Sequence, residues 1–269
     1  MGAAAASVEA GTEGGVPSLA VDGARATVRL NRPRHMNRIQ PEDIPVLMRL
    51  LDEVDADPAV RVLVLTGGGR AFSAGYHLGD LADQTEGGGS DAGVPSFEAL
   101  TVRLESCRVP TICRLNGGVY GGSTDLALAC DFRVGHDDIE MFMPAGRLGV
   151  HYYAAGMRRY VSRLGLNAAK RLFLTAERIG AAEMLRIGYL TEVAPAEGLD
   201  ARVDALAERI AAMAPLAVQG MKLALDEIAR GELDVAALET RSAACNESED
   251  LKEGLRAFRE KREPVFQGR

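Results

Sequence analysis

The chain has no tryptophan, only seven phenylalanines and six tyrosines, four histidines and four cysteines in 269 residues. The cysteines (Cys107, Cys113, Cys130 and Cys245) form no C-x-x-C pair and have no histidine at ligand spacing beside them. That pattern excludes the usual zinc-site signature and a small-domain disulfide framework, so no metal site is expected. Buried, reduced thiols are expected instead. No apolar run approaches the ~20 residues of a membrane-spanning helix, so no membrane partner is expected. Residues 1–17 contain no Lys or Arg, whereas secretory and transit leaders are positively charged. The segment, rich in Ala, Gly and Glu, reads as a flexible leader, and the expected location is the cytoplasm. Positive charge is in deficit overall, 31 Lys and Arg against 38 Asp and Glu for a net charge of −7. That balance argues against a general nucleic-acid binder, though it leaves room for a local cationic pocket.

What the chain does have is apolar content, 47%, enough for one large core, and glycine in two informative places. Residues 19–30 alternate apolar and polar side chains around Asp22-Gly23 and predict a hairpin. Gln40-Pro41-Glu42-Asp43 opens a helix with acids in its first turn, running to about Val54, with Pro45 tolerable near its start. Residues 60–66, β-branched and nearly all apolar, predict a central strand covered on both faces. Residues 84–93 are polar and glycine-rich and read as a loop; no G-x-x-x-x-G-K-[ST] follows Gly87-Gly88-Gly89, so this run is no phosphate cradle. A helix at 97–107, a strand at 111–115, a helix at 126–130 and strands at 132–135 and 141–143 follow. The order of strand, strand and helix repeats with a short period, which fits stacked right-handed ββα turns. Beyond Met157 the pattern is almost wholly helical, with segments starting near residues 157, 168, 181, 199, 217, 235 and 248. Arg158-Arg159 reads as the start of a solvated helix face, and His136 as a turn residue.

The two glycine turns are Ala71-Phe72-Ser73-Ala74-Gly75 and Asn116-Gly117-Gly118-Val119-Tyr120-Gly121-Gly122-Ser123-Thr124-Asp125. Each follows a short apolar run and leads toward a helix. Glycine permits a sharp turn and close approach of a ligand, and N–H groups at a helix start have no partner inside the helix. Two such turns side by side would aim two backbone donors at one point, the geometry of an oxyanion hole.

At these turns the chain resembles the enoyl-CoA hydratase/isomerase (crotonase) superfamily. Four blocks carry the resemblance, in order. Leu30-Asn31-Arg32-Pro33-Arg34-His35-Met36-Asn37 is similar to L-N-R-P-x-x-x-N. Ala71-Phe72-Ser73-Ala74-Gly75 is similar to A-F-[SC]-A-G-x-D. The stretch from Asn116 to Asp131 is similar to N-G-x-x-x-G-G-[GA]-x-x-L-x-x-x-C-D, and the end from Phe258 to Arg269 is similar to the family's terminus. The resemblance implies an α/β fold: a crotonase-like ββα spiral core over residues 18–198, after the leader of 1–17. A C-terminal helical oligomerisation (trimerisation) region over 199–269 would follow, giving a trimer or dimer of trimers. It implies an acyl-CoA thioester as substrate, coenzyme A being part of that substrate, with no tightly bound cofactor. The amides of Tyr76 and Gly122 match the donors to the thioester oxygen. Arg34, His35 and Met36 match the segment along the coenzyme, Ala74 the adenine-side turn, and Phe258 and Lys261 the residues that reach a neighbouring subunit's coenzyme. Arg34, Arg70 and Lys261 are candidate phosphate partners.

The chain also departs from the family pattern. The resemblance implies two glutamates in a hydratase, which position water and shuttle the α-proton. Asp125 stands at the first position and Ala145 at the second. Alanine transfers no proton, so the pair required for concerted acid–base work is broken and efficient hydration is not expected. Asp125 is then the leading acid/base candidate. His77 replaces the aspartate after Tyr76, and His151-Tyr152-Tyr153 replaces a Pro-Gly turn. His77, His151 and Tyr152 are secondary candidates, since imidazole titrates near neutrality and a phenol donates a hydrogen bond. The leading expectation is an enolate-forming enzyme. The alternatives are a decarboxylase of a malonyl-type thioester, in which a tyrosine or histidine reprotonates the enolate, and a non-catalytic acyl-CoA-binding protein.

Overall fold

The structure, a computed structural model, describes residues 14–76 and 95–269. Most of the leader, the loop at 84–93 and His77 lie outside the described residues.

The chain opens with the expected hairpin. β1 (Ser18–Asp22) pairs antiparallel with β2 (Arg25–Leu30), Ser18 opposite Arg29 and Asp22 opposite Arg25. α1 (Asp43–Ala56) follows, and its buried Ile44, Leu47, Leu51 and Val54 recur at helical spacing. Next come three strand pairs: β3 (Val62–Gly67) with β4 (Ala71–Ser73), β5 (Thr111–Leu115) with β6 (Gly118–Tyr120), and β7 (Phe132–His136) with β8 (Glu140–Phe142). The first strand of each pair joins a six-stranded sheet and the second a four-stranded sheet. β3, β5 and β7 run parallel, as do β4, β6 and β8. Each circuit therefore climbs by one strand in both sheets, which is the ββα spiral the sequence predicts. α2 (Phe97–Glu105) and α3 (Gly122–Ala129) lie between the pairs.

β3 is buried along its whole length because its alternating side chains meet two different layers. Leu63 and Leu65 face the main core, with Leu115, Phe72 and Leu126. Val62 and Val64, with Ile112 and Val134, face Leu199, Val203, Leu206 and Ala207. These last four belong to α7 (Leu199–Ala211), so the second face of the sheet is covered from beyond residue 198.

The region after Met157 is not purely helical. α4 (Ala154–Leu164), α5 (Leu166–Thr175) and α6 (Ala181–Arg186) are interrupted by β9 (Arg178–Gly180) and followed by β10 (Glu192–Ala194). β10 completes the large sheet beside β7, and β9 closes the small one against β8. Three-residue strands are too short to show a period in sequence, and only their pairing partners define them. The tail ends in α8 (Pro215–Arg230), α9 (Val235–Glu247) and α10 (Glu249–Glu260). The last residues fold back on α10: Gln267 and Gly268 donate backbone N–H bonds of 2.7 and 2.8 Å to the Asp250 carboxylate. Arg61 ties this tail to the core through the carbonyls of Ala211 and Phe266, at 3.0 and 2.7 Å. Met221, Leu225 and Ile228 leave an exposed apolar stripe on α8. Among the described residues no helix is long and apolar enough to cross a membrane.

Candidate active site

The first glycine turn is fixed by the Asn37 block. Asn37, buried and left-handed (φ 51°), donates through Nδ2 to the carbonyls of Gly68 and Ala71, at 2.7 and 2.8 Å. Its own carbonyl accepts from Ser73 Oγ at 2.7 Å. Ala74 N donates to Met36 O at 2.7 Å, and Ile39 N to Gly75 O at 2.8 Å. These bonds hold the 3₁₀ turn Pro33–His35, with exposed Arg34 and His35 and the exposed left-handed cap Met36, alongside Ala74. Arg70 is also exposed, at the lip of the same turn.

The second turn docks on the first through β4–β6 pairing, Ala71 opposite Gly118. Ser123, fully buried, places Oγ 2.8 Å from Ser73 O and 2.7 Å from Tyr120 O, bridging the two turns. Gly75 adopts φ +88°, and a Cβ there would lie 2.6 Å from Tyr120 O and 2.8 Å from Gly122 N; only glycine fits this crossing. A Cβ on Gly122 would stand 3.6 Å from Tyr76 N and 3.1 Å from the Phe97 ring. The amides of Tyr76 and Gly122 are thus neighbours, and Gly122 N is the first of α3, where helix N–H groups point outward with partial positive charge.

Asp125 sits three residues into α3, on the face of Gly122, with no exposed surface. Its Oδ2 accepts two bonds of 2.6 Å, from Tyr153 Oη and from Arg159 Nη1. Oδ1 is buried with no hydrogen-bond partner among the described residues. Arg159 is itself fixed by Glu105, with Nε to Oε1 at 2.9 Å and Nη2 to Oε2 at 3.2 Å. Burial works to raise the Glu105 carboxyl's pKa. The Arg159 hydrogen bonds and the charges of Arg159 and Arg163 outweigh it, so Glu105 titrates below the usual carboxylate range. Burial works to lower the Arg159 guanidinium, and the charge of Asp125 and the bonds to Glu105 reverse that, raising it.

Tyr152 and Tyr153 stack with ring centroids 4.3 Å apart, and Phe97 meets Tyr153 edge-on at 6.4 Å. Tyr152 Oη donates to Tyr153 Oη at 3.2 Å. Burial first, and then the Asp125 charge, push both phenols well above their ordinary value, so they remain protonated donors near neutral pH.

Several expectations are corrected here. Arg159 is 2% exposed and is not part of a solvated face; only its neighbour Arg158 is, pairing with Glu232. The signal lay in the spacing of Gly156, Arg159 and Tyr160, which share the buried side of α4. His151 is exposed and outside the buried cluster, its Nδ1 held 2.9 Å from Tyr152 O. Tyr152 belongs to the cluster, but its hydroxyl proton is directed at Tyr153 and not at Asp125. Tyr153 and Glu105, which sequence reasoning did not single out as site residues, touch Asp125 or its partner directly. Phe258, 83% exposed, and Lys261, the left-handed cap of α10, stand on the helical tail.

A ββα spiral in which two glycine turns meet beside a buried carboxylate is the architecture that the four sequence blocks imply. The sequence profile described as enoyl-CoA hydratase/isomerase matches residues 22–269, and the chain belongs to that family. It is 36% identical over 248 residues to a putative enoyl-CoA hydratase of Thermus thermophilus, covering 90% of this chain and 96% of that one. It is 30% identical over 244 residues to the short-chain-enoyl-CoA hydratase of Clostridium acetobutylicum, covering 90% and 93%. The solved enoyl-CoA hydratase of Bacillus anthracis superposes with a TM-score of 0.82 at 29% identity, covering 94% of this chain and 99% of that one.

Proposed function

We propose that this family member acts on an acyl-CoA thioester through an enolate. In this reading the N–H groups of Tyr76 and Gly122 hold the thioester oxygen, and Asp125 moves the α-proton. One observation carries it: the two glycine turns converge, Tyr76 N lying 3.6 Å from a Gly122 Cβ position, with Asp125 on the same face of α3. Charge that develops on the oxygen as the α-C–H bond breaks is met by donors already in place, an arrangement in which one donor is typically worth ~3–4 kcal/mol. The relatives named as hydratases support the acyl-CoA class.

Asp125 offers one carboxylate where concerted addition of water calls for two proton-handling groups. Ala145, buried at the start of a 3₁₀ turn, supplies none. Proton removal and return, as isomerisation or α-exchange, is therefore favoured over hydration. The decarboxylase alternative calls for a neutral or cationic group at the acyl carboxylate. The cation beside Asp125, Arg159, is already shared between two carboxylates, which favours α-proton transfer over decarboxylation. Arg34, His35, Met36, Arg70 and Ala74 form the coenzyme rim in this reading. Phe258 and Lys261 reach a neighbour's coenzyme in a trimer or dimer of trimers, for which the apolar stripe on α8 is suited. Four free thiols accord with a reducing, cytoplasmic setting.

The test is a panel of acyl-CoA thioesters followed by mass spectrometry in heavy water. Deuterium at the α-carbon without hydration is the expected result. Rapid hydration of crotonyl-CoA that survives Asp125→Asn would sink the role of Asp125, and binding without exchange or turnover on every thioester would favour a non-catalytic protein.

A further inference from the structure

We propose that Tyr153 is a positioning residue: with Arg159 it pins Oδ2 of Asp125, so that Oδ1 alone is presented to the acyl group. The inference deepens the enolate reading and rests on it.

Three observations support it. The two donors to Oδ2 come from one rigid element, since Tyr153 is the N-cap residue of α4 and Arg159 lies in its second turn. Each donor is itself immobilised. Arg159 is held by both oxygens of Glu105. The Tyr153 ring stacks on Tyr152, and both rings lie against Gly156, where a Cβ would fall 2.4 Å from Tyr152 Cε1 and 2.8 Å from Tyr153 Cε2. Finally, the bonding is lopsided. A carboxylate held for stability alone gains most when both oxygens are satisfied, and a buried oxygen without a donor is costly. Here Oδ2 has two strong donors, while Oδ1, equally buried, has none among the described residues. Asp125 shares the helix face of Gly122, and with Oδ2 occupied the unpaired oxygen is the one left to serve the thioester's α-carbon in the enolate reading.

In the step itself, Oδ1 takes the α-proton: the C–H bond breaks, an O–H bond forms, and the electron pair moves into the enolate under the two amides. The O–H proton exchanges with solvent before a proton is returned from the same oxygen to carbon, which is what carries deuterium to the α-carbon in heavy water. Tyr153 transfers nothing; it fixes the angle of attack, and misplacement of a reacting group by about 1 Å can cost ~100-fold.

The test compares α-proton exchange in heavy water for the unmodified enzyme, Tyr153→Phe and Tyr160→Phe. Tyr153→Phe keeps the ring stack and removes only the hydroxyl. Tyr160→Phe removes a hydroxyl from the same helix that bonds Thr124 Oγ1 at 2.6 Å. The expected result is a fall in kcat of roughly 10- to 100-fold for Tyr153→Phe with KM within about twofold, and no change in kcat for Tyr160→Phe. The Asp125 carboxylate stretch, isolated as the infrared difference from Asp125→Asn, should also move in Tyr153→Phe. Should Tyr153→Phe fail to fold, Arg159→Lys, which keeps the charge and loses the fork, should show the same kcat-only loss. An unchanged kcat, an unmoved infrared band, a loss confined to KM or an equal loss in Tyr160→Phe overturns the positioning role while leaving the enolate reading intact. Absence of exchange in the unmodified enzyme with every thioester overturns the enolate reading, and the positioning role with it.

Discussion

Arg159 and Asp125 form an ion pair withdrawn from water, Nη1 to Oδ2 at 2.6 Å, with side-chain exposures of 1% and 0%. Burying two charges is expensive, and removing one partner leaves the other uncompensated. Arg159→Met leaves buried Asp125 without a cation and Glu105 with Arg163 alone, at 3.3 Å, so a loss of about 3–5 kcal/mol in urea unfolding is expected. Asp125→Asn keeps the shape and leaves Arg159 paired with Glu105, so it should cost less, about 1–3 kcal/mol. Its α-exchange should nevertheless fall by roughly 10²–10⁴-fold. Stability and activity thus separate at the two ends of one pair.

Glu105 makes the same network sensitive to acid. Its folded pKa lies below the ordinary carboxylate value because the Arg159 and Arg163 interactions outweigh burial. A carboxyl whose pKa is lowered by folding contributes stability that is fully present above its unfolded value, about 4.3. That contribution is lost as pH falls through the folded value. Glu105→Gln should therefore be less stable than the unmodified chain at pH 7 by ~3 kcal/mol. The difference should shrink as pH drops from about 5 toward 3. Urea midpoints across that range check the sign; a gap that widens on acidification would refute it.

Local chemistry explains which parts of this arrangement were legible in sequence. β5 was bounded correctly because Pro110 and Asn116 punctuate a five-residue run buried almost throughout. The hairpin was legible because Asp22-Gly23 supplies a left-handed turn, Gly23 at φ 55°. The glycine turns were visible as turns, but their contact depends on β4 pairing with β6 across more than forty residues. Arg159 was misread because an arginine beside an identical neighbour gives no sign of which one faces inward until α4 has a partner. Tyr152 and Tyr153 are likewise adjacent and alike. Only the packing of both rings against Gly156 decides that the second one reaches Asp125.

The two glycines at the crossing should fail in different ways when each gains a methyl group. Gly75→Ala places a side chain at φ +88° and 2.6 Å from a backbone oxygen. Neither the strain nor the contact can relax without moving a strand, so a destabilisation of about 1–3 kcal/mol or more is expected. At Gly122 the nearest atoms are the Phe97 ring, 3.1 Å away, and Tyr76 N at 3.6 Å. A ring can shift, so Gly122→Ala should fold with a nearly unchanged urea midpoint. Its methyl would occupy the space between the two donors, and α-exchange should drop by at least 100-fold. An active Gly122→Ala would show that the thioester oxygen does not lie there.

Ala145 allows a test in the opposite direction, by gain of activity. It opens the 3₁₀ turn Ala145–Leu148, is 7% exposed, and accepts a backbone bond from Val150 N at 3.0 Å. Ala145→Glu would place a second carboxyl where the family resemblance implies the second glutamate, in an apolar setting that favours its protonated form. Two carboxyl groups, one to give a proton and one to take it, are the complementary pair that addition of water to a 2-enoyl thioester needs. Hydration of crotonyl-CoA, followed by loss of its enoyl absorbance, should rise at least tenfold over the unmodified chain. The thermal midpoint should fall, because the new carboxyl is buried without a designed partner. If the unmodified chain already hydrates crotonyl-CoA quickly and Ala145→Glu adds nothing, the missing carboxylate does not limit the reaction. Water must then be activated by Asp125 alone or by a residue outside the described segments.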